Sequence, residues 1–155
     1  MTPGTIFLDR NFEIEDSTTL AKFIILLDDG SSGCYLVVKT TSKPNHKNNK
    51  SGCQKDDALP NFYLPPSTCP EFPKSTWIML NQYYYDRFPK EKTDKRAEKE
   101  FLIRKGELSI HIFADLLDCA IHSPDIDGKH VDLLRPIRKK IGLYLSQKKK
   151  TTSLK

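Results

Sequence analysis

Long apolar runs are missing from this chain. Phe23 to Leu27, among its longest, is of strand length, far short of the roughly 20 apolar residues that cross a bilayer as a helix. The first residues also lack a basic patch followed by an apolar stretch, so no secretion signal is read and a soluble, cytoplasmic protein without a membrane partner is expected. The four cysteines, Cys34, Cys53, Cys69 and Cys119, include no CxxC pair. Free thiols in a reducing compartment are the expectation, with Cys119 a small core residue on the apolar side of a helix. His46, Cys53 and Cys69 come nearest to a ligand set, but spacings of seven and sixteen do not match the closely spaced pairs of zinc sites. Neither a metal nor any other cofactor is expected.

Acids are missing from the C-terminal end. From Arg135 onward there are eight Lys or Arg and no Asp or Glu, which leaves 17 bases against 20 acids in residues 1–134. The formal charge of +5 therefore belongs to the end and not to the body. Such an end attracts polyanions non-specifically or is simply solvated, so charge alone does not define a nucleic-acid-binding protein. Apolar residues are also sparse, at 37%, yet sufficient for one core, and 155 residues suit a single compact domain. The polar excess gathers in Lys43 to Leu59 and Phe88 to Lys99, and residues 44–58 read as a long polar loop.

What is present is a series of short strands. Thr5 to Leu8 reads as a strand entered through Pro3-Gly4, continued after a bend by Phe12 to Ile14. Lys22 to Leu27 and Tyr35 to Lys39 read as antiparallel neighbours across the turn Asp28-Asp-Gly-Ser-Ser-Gly33. Phe62 to Leu64 and Thr76 to Leu80 follow, the latter with Trp77 and Met79 on one face and Ile78 and Leu80 on the other. Tyr83 to Tyr85 extends that strand or begins a turn. Short strands between polar loops point to a small barrel or strongly curved sheet. The period then changes. Ile112, Phe113, Leu116, Leu117, Ala120 and Ile121 form one helical stripe, with Gly106 and Ser109 at its start. Val131, Leu134, Ile141 and Leu145 mark a second helix, with a kink or late start at Pro136.

The strand from Cys34 ends in Thr40-Thr-Ser-Lys43. Hydroxyls and a cation at a strand end are fixed by the sheet yet open to solvent, a common place for a binding or catalytic group and also for a plain ST-turn.

Four segments appear in a particular order: Pro3-Gly-Thr-Ile-Phe7, Lys22-Phe-Ile-Ile-Leu-Leu27, Thr41-Ser-Lys43 and Gly106-Glu-Leu-Ser109. This order resembles the MazF/PemK family of toxins from bacterial toxin–antitoxin modules, over roughly residues 3–122. The resemblance implies an α+β fold, a small SH3-like curved β-barrel of about five to seven strands followed by C-terminal helices. It divides the chain into a barrel with its helix (1–122), an appended helix (123–147) and a basic disordered tail (148–155). It also implies a homodimer that cleaves single-stranded RNA without a metal and is neutralised by an antitoxin protein.

Carried over by position, Thr41 is the hydroxyl donor and Lys22 the catalytic cation, in the place where the family has an arginine. A lysine brings a point charge where arginine brings a bidentate fork. Ser42, Lys43 and Lys39, with Lys47 and Lys50 nearby, are read as tracking phosphates. Arg10, and less so Arg87, is a substitute guanidinium, and Tyr84 in the tyrosine cluster is a stacking surface. His111, His122 and His130 are scattered and given no catalytic role. Two other readings stand beside the nuclease: the same module binding RNA or a protein without cleavage, and an unrelated small α+β protein.

Overall fold

The computed structural model describes residues 1–43 and 50–153. In chain order it contains β1 (Thr5–Glu13), a 3₁₀ turn (Glu15–Ser17), β2 (Thr19–Leu26), β3 (Val37–Thr41), β4 (Gly52–Gln54), β5 (Asn61–Leu64) and β6 (Thr76–Met79). Then come α1 (Lys90–Glu98), β7 (Leu102–Glu107), α2 (Ile110–Ile121) and α3 (Gly128–Ser153). The class is α+β. All seven strands join one antiparallel sheet in the order β4-β5-β6-β3-β2-β1-β7, with no β4–β7 pairing among the described residues.

The inner halves of the central strands, Phe23 to Leu26 of β2 and Val37-Val38 of β3, are apolar because both faces of the sheet are covered there. Ile25, Leu27, Leu36, Val38 and Ile78 pack against Phe113, Leu116, Leu117 and Ala120 of α2 and Leu134 of α3. The alternate residues Phe7, Ile24, Leu26 and Val37 pack on the other side with Tyr84, Phe88 and Leu102. Each such side chain contributes about 1.5–3 kcal/mol through removal from water. The β2–β3 connection is held by Asp28, whose buried carboxylate accepts the Leu36 N–H at 2.8 Å. Gly30 within it has φ +72°, and a Cβ there would sit 2.7 Å from the Tyr35 ring. Only glycine fits.

The bend expected in the first strand is a register shift between Asp9 and Phe12 within one long β1. Trp77 and Met79 do share a face, in a small cluster with Tyr63, while Ile78 and Leu80 face the main core. Part of the polar loop is a strand: Gly52–Gln54 pairs with β5. The polar stretch from Phe88 to Lys99 holds α1. It lacks an apolar stripe, with Thr93 its one buried residue, and is supported by the i,i+4 ion pairs Lys90–Asp94 (3.5 Å) and Glu91–Lys95 (3.0 Å). Gly106, expected to punctuate a helix start, lies inside β7 opposite Ile6, and Ser109 alone caps α2 by accepting the Ile112 N–H.

Of two expectations about the C-terminal part, the one at Pro136 narrows to a proline inside the helix and the other changes. α3 starts well before Pro136 and carries it internally. It also continues to Ser153, so the basic segment expected to be a disordered tail is helical through its described residues. The expectation of free thiols is corrected at two positions. Cys53 of β4 and Cys119 of α2 form a disulfide with their Cα atoms 5.5 Å apart, while Cys34 and Cys69 are free. Pairing of β4 with β5 sets Cys53 opposite Phe62, a core residue under α2, so the fold closes a separation that sequence spacing cannot show. Cys53 is thereby removed from the grouping with Cys69 and His46, and His46 lies outside the described residues. Among the described residues no helix is long and apolar enough to cross a membrane.

Candidate functional site

β2 and β3 pair with Ile24 opposite Lys39 and Ile25 opposite Val38, and the Thr40 hydroxyl donates to the Phe23 carbonyl at 3.1 Å. The same register carried to the strand ends sets Lys22 opposite Thr41. The flanking strands place Asp9 opposite Lys22 and Trp77 opposite Thr41. Lys22 and Thr41 line one cleft of about 610 Å³ with Ser42 and Lys43, and the facing wall is Glu71, Phe72, Pro73 and Lys74.

Thr41 is half-buried. Its Oγ1 accepts the Lys43 N–H at 3.2 Å, which fixes the side chain in an ST-turn. Among the described residues its own proton is directed at the Lys43 carbonyl at 3.5 Å, a long and therefore weak bond that an incoming acceptor can displace. Lys22 is half-buried as well. Burial, and then the neighbouring ammonium groups of Lys39 and Lys43, push its pKa below the usual lysine value. Three cations thus crowd one strand end. Their mutual repulsion is a standing cost that a bound anion would relieve.

The remaining residues singled out from the sequence divide. Ser42 and Lys43 are exposed at the strand end. Lys39 reaches over the Tyr84 ring at 5.9 Å. Tyr84 itself is 5% exposed, with Phe12 edge-on at 5.0 Å and Arg87 over the same ring at 5.1 Å. It offers no open face on which a base could stack, and its role is corrected to that of a buried support for two cations. Tyr83 and Tyr85 are half-buried, with their hydroxyls on the Ala120 carbonyl and the Ser32 hydroxyl, and the Tyr85 ring lies 5.2 Å from that of His130. Arg10 does not line the cleft. It is exposed at the β1 irregularity, its backbone N–H bonded to the Phe101 carbonyl on the β7 side. Arg87 is held away too, donating to the Glu13 carbonyl at 2.7 Å. Lys47 lies outside the described residues.

Glu71 and Lys74 are in the cleft without having been singled out by sequence. Glu71 accepts from the Cys69 thiol at 2.7 Å. Burial, with the carboxylate beside it, pushes that thiol up to about 11, so it stays protonated. A Cβ at Gly106 would lie on Glu71, so the glycine makes room for this side chain. The one local signal is the Pro70-Glu-Phe-Pro73 punctuation, which marks an ordered loop and says nothing of where it docks.

Among the described residues the cleft therefore offers ammonium groups, the Glu71 carboxylate and the strand hydroxyls of Thr40, Thr41 and Thr76, of which Thr40 and Thr76 donate to the Phe23 and Lys74 carbonyls. That set suits a phosphodiester: cations and O–H for its oxygens, a carboxylate for a proton. A larger cavity, about 760 Å³, surrounds the Cys53–Cys119 bridge, where Asp56, Asp57, Asp115 and Asp118 outnumber Lys50 and Lys55, so its charge suits an anion less well than the cleft at Thr41. The chain matches no protein-family model, no curated protein and no solved structure.

Proposed function

We propose that the protein is a toxin-like, metal-independent endoribonuclease of the MazF/PemK kind that acts on single-stranded RNA in the cleft at the ends of β2 and β3. The observation that carries this reading is the convergence of Lys22, Thr41 and Lys43 on one cleft that Glu71 also lines. In this reading the ribose 2′-oxygen attacks the adjacent phosphorus and its proton passes to the Glu71 carboxylate. Thr41 O–H and Lys43 hold the equatorial oxygens as charge builds. The P–O5′ bond breaks with a proton from the Lys22 ammonium, leaving a 2′,3′-cyclic phosphate and a free 5′-hydroxyl. A lowered pKa makes Lys22 a better proton donor than an ordinary lysine, and donors fixed before reaction are where most such stabilisation arises. The same proposal includes an SH3-like closure of the sheet, pairing of two chains and neutralisation by an antitoxin laid into the cleft.

The test is incubation of the purified chain with mixed-sequence single-stranded RNA in excess chelator. Cleavage to cyclic-phosphate ends is expected, reduced about 10²–10³-fold by Thr41→Ala and at least tenfold by Lys22→Ala. Intact RNA under all these conditions overturns the nuclease reading. A second reading, RNA binding without cleavage, is favoured by one observation: the charges that bear on Lys22 are those of Lys39 and Lys43, an environment built to hold an anion. Binding lost in Lys22→Ala without cleavage by the wild type would select it.

A further inference from the structure

α1 and α3 are both solvated over much of their length, but they handle charge in opposite ways. α1 alternates signs and forms two i,i+4 ion pairs, the usual solution for an exposed helix. α3 has no acid after Asp132, while Arg135, Arg138, Lys139, Lys140, Lys148, Lys149 and Lys150 all lie on it. Arg138 alone of these has a carboxylate in bidentate contact, Asp118 at 2.8 and 3.1 Å. His130 and Leu134 are its buried residues, so the half beyond Gly142 takes little support from the body, and Leu143 and Tyr144 are exposed there. At 100° per residue, Arg135, Lys139, Lys149 and Lys150 fall on one stripe. Lys148 and Lys149 turn towards His111 at the start of α2, and these three line a cleft of about 480 Å³ to which, among the described residues, no carboxylate contributes. A self-repelling helix attached to a body with an excess of acids is a surface built for a polyanion.

We infer that the distal half of α3, with His111, is a second RNA-binding surface that takes the phosphate backbone without regard to sequence and is separate from the cleft at Thr41. The inference rests on the RNA reading of that cleft for its choice of polyanion. Backbone charge is the sequence-independent part of nucleic-acid affinity, and each phosphate neutralised adds to the salt dependence.

The experiment is fluorescence anisotropy of a labelled single-stranded RNA with the full chain across a salt series, for the wild type, Thr41→Ala and the triple variant Lys148→Gln/Lys149→Gln/Lys150→Gln. All three substituted lysines are exposed, and circular dichroism checks that the helix is kept. The triple variant is expected to weaken binding at least tenfold and to flatten the slope of log K against log salt by about 2, at ~0.7 for each phosphate no longer neutralised. Unchanged affinity and slope in the triple variant, with binding reduced by Thr41→Ala, overturns this inference and leaves the cleft reading standing. The converse pattern supports α3 and removes the cleft. A wild type that binds polyglutamate and not RNA overturns the inference, since α3 would then serve an acidic protein.

Discussion

Lys22 carries a conflict between folding and binding. Its charged form is disfavoured by burial and by Lys39 and Lys43, so its folded pKa lies below its unfolded one. The linked stability is fully present above the unfolded value of about 10.5 and is lost as pH falls through the folded value. At neutral pH the charge works against the fold. Lys22→Met, which keeps the stem and removes the charge, is therefore expected to raise stability at pH 7, by no more than about 0.5 kcal/mol at a half-exposed position. The difference from wild type should narrow as pH approaches that of free lysine, read by urea denaturation at several pH values. RNA affinity should fall in the same variant. A variant less stable than wild type at pH 7 would show that Lys22 is an ordinary structural lysine. Thr41 was legible as a strand-end hydroxyl because aromatic and β-branched residues run up to it and stop. Glu71 was not legible, because its place depends on Gly106 leaving room from a distant strand.

At the scale of elements, β1, β2, β3, β5, β6 and α2 followed from apolar periodicity, which registers whatever buries a face, whereas β7 escaped because Leu102 is its one buried residue. α1 escaped because its stability comes from ion pairs, including Arg96 with the buried Asp9, and from only Thr93 and Ala97 turned inward. β4 escaped because three residues at a sheet edge carry almost no pattern. That edge is held by the Cys53–Cys119 bridge, which spans 66 residues. Closing a loop of this length in the unfolded chain corresponds to up to about 4 kcal/mol by chain entropy. Treatment with a thiol reductant is expected to lower the urea midpoint accordingly, with mass spectrometry reporting two added hydrogens. No shift on verified reduction would mean that β4 is held by its pairing with β5 alone. Pro136 removes one backbone donor within α3, yet the helix passes through it, supported by Leu134 beneath and the Arg138–Asp118 pair beside it.

For the whole molecule, charge is segregated: acids exceed bases up to residue 134, and beyond it the chain is purely basic. A molecule so polarised orients in the field of a polyanion before contact. RNA association is expected to slow more than tenfold between low and physiological salt while dissociation changes much less, as steering acts on encounter. Stopped-flow traces at two ionic strengths would show it, and equal association rates would refute it.

The sequence by itself determined the class of the fold, the β2–β3 neighbours, the cap and stripe of α2, and the segregation of charge, because each is written in local chemistry: side-chain period, turn residues, sign. Only the tertiary structure decided that Glu71 shares a cleft with Thr41, that Tyr84 is sealed beneath two cations, that Cys53 meets Cys119, and that the basic segment is helical through Ser153. These depend on distant segments arriving at the same place, and spacing along a chain does not encode proximity across it.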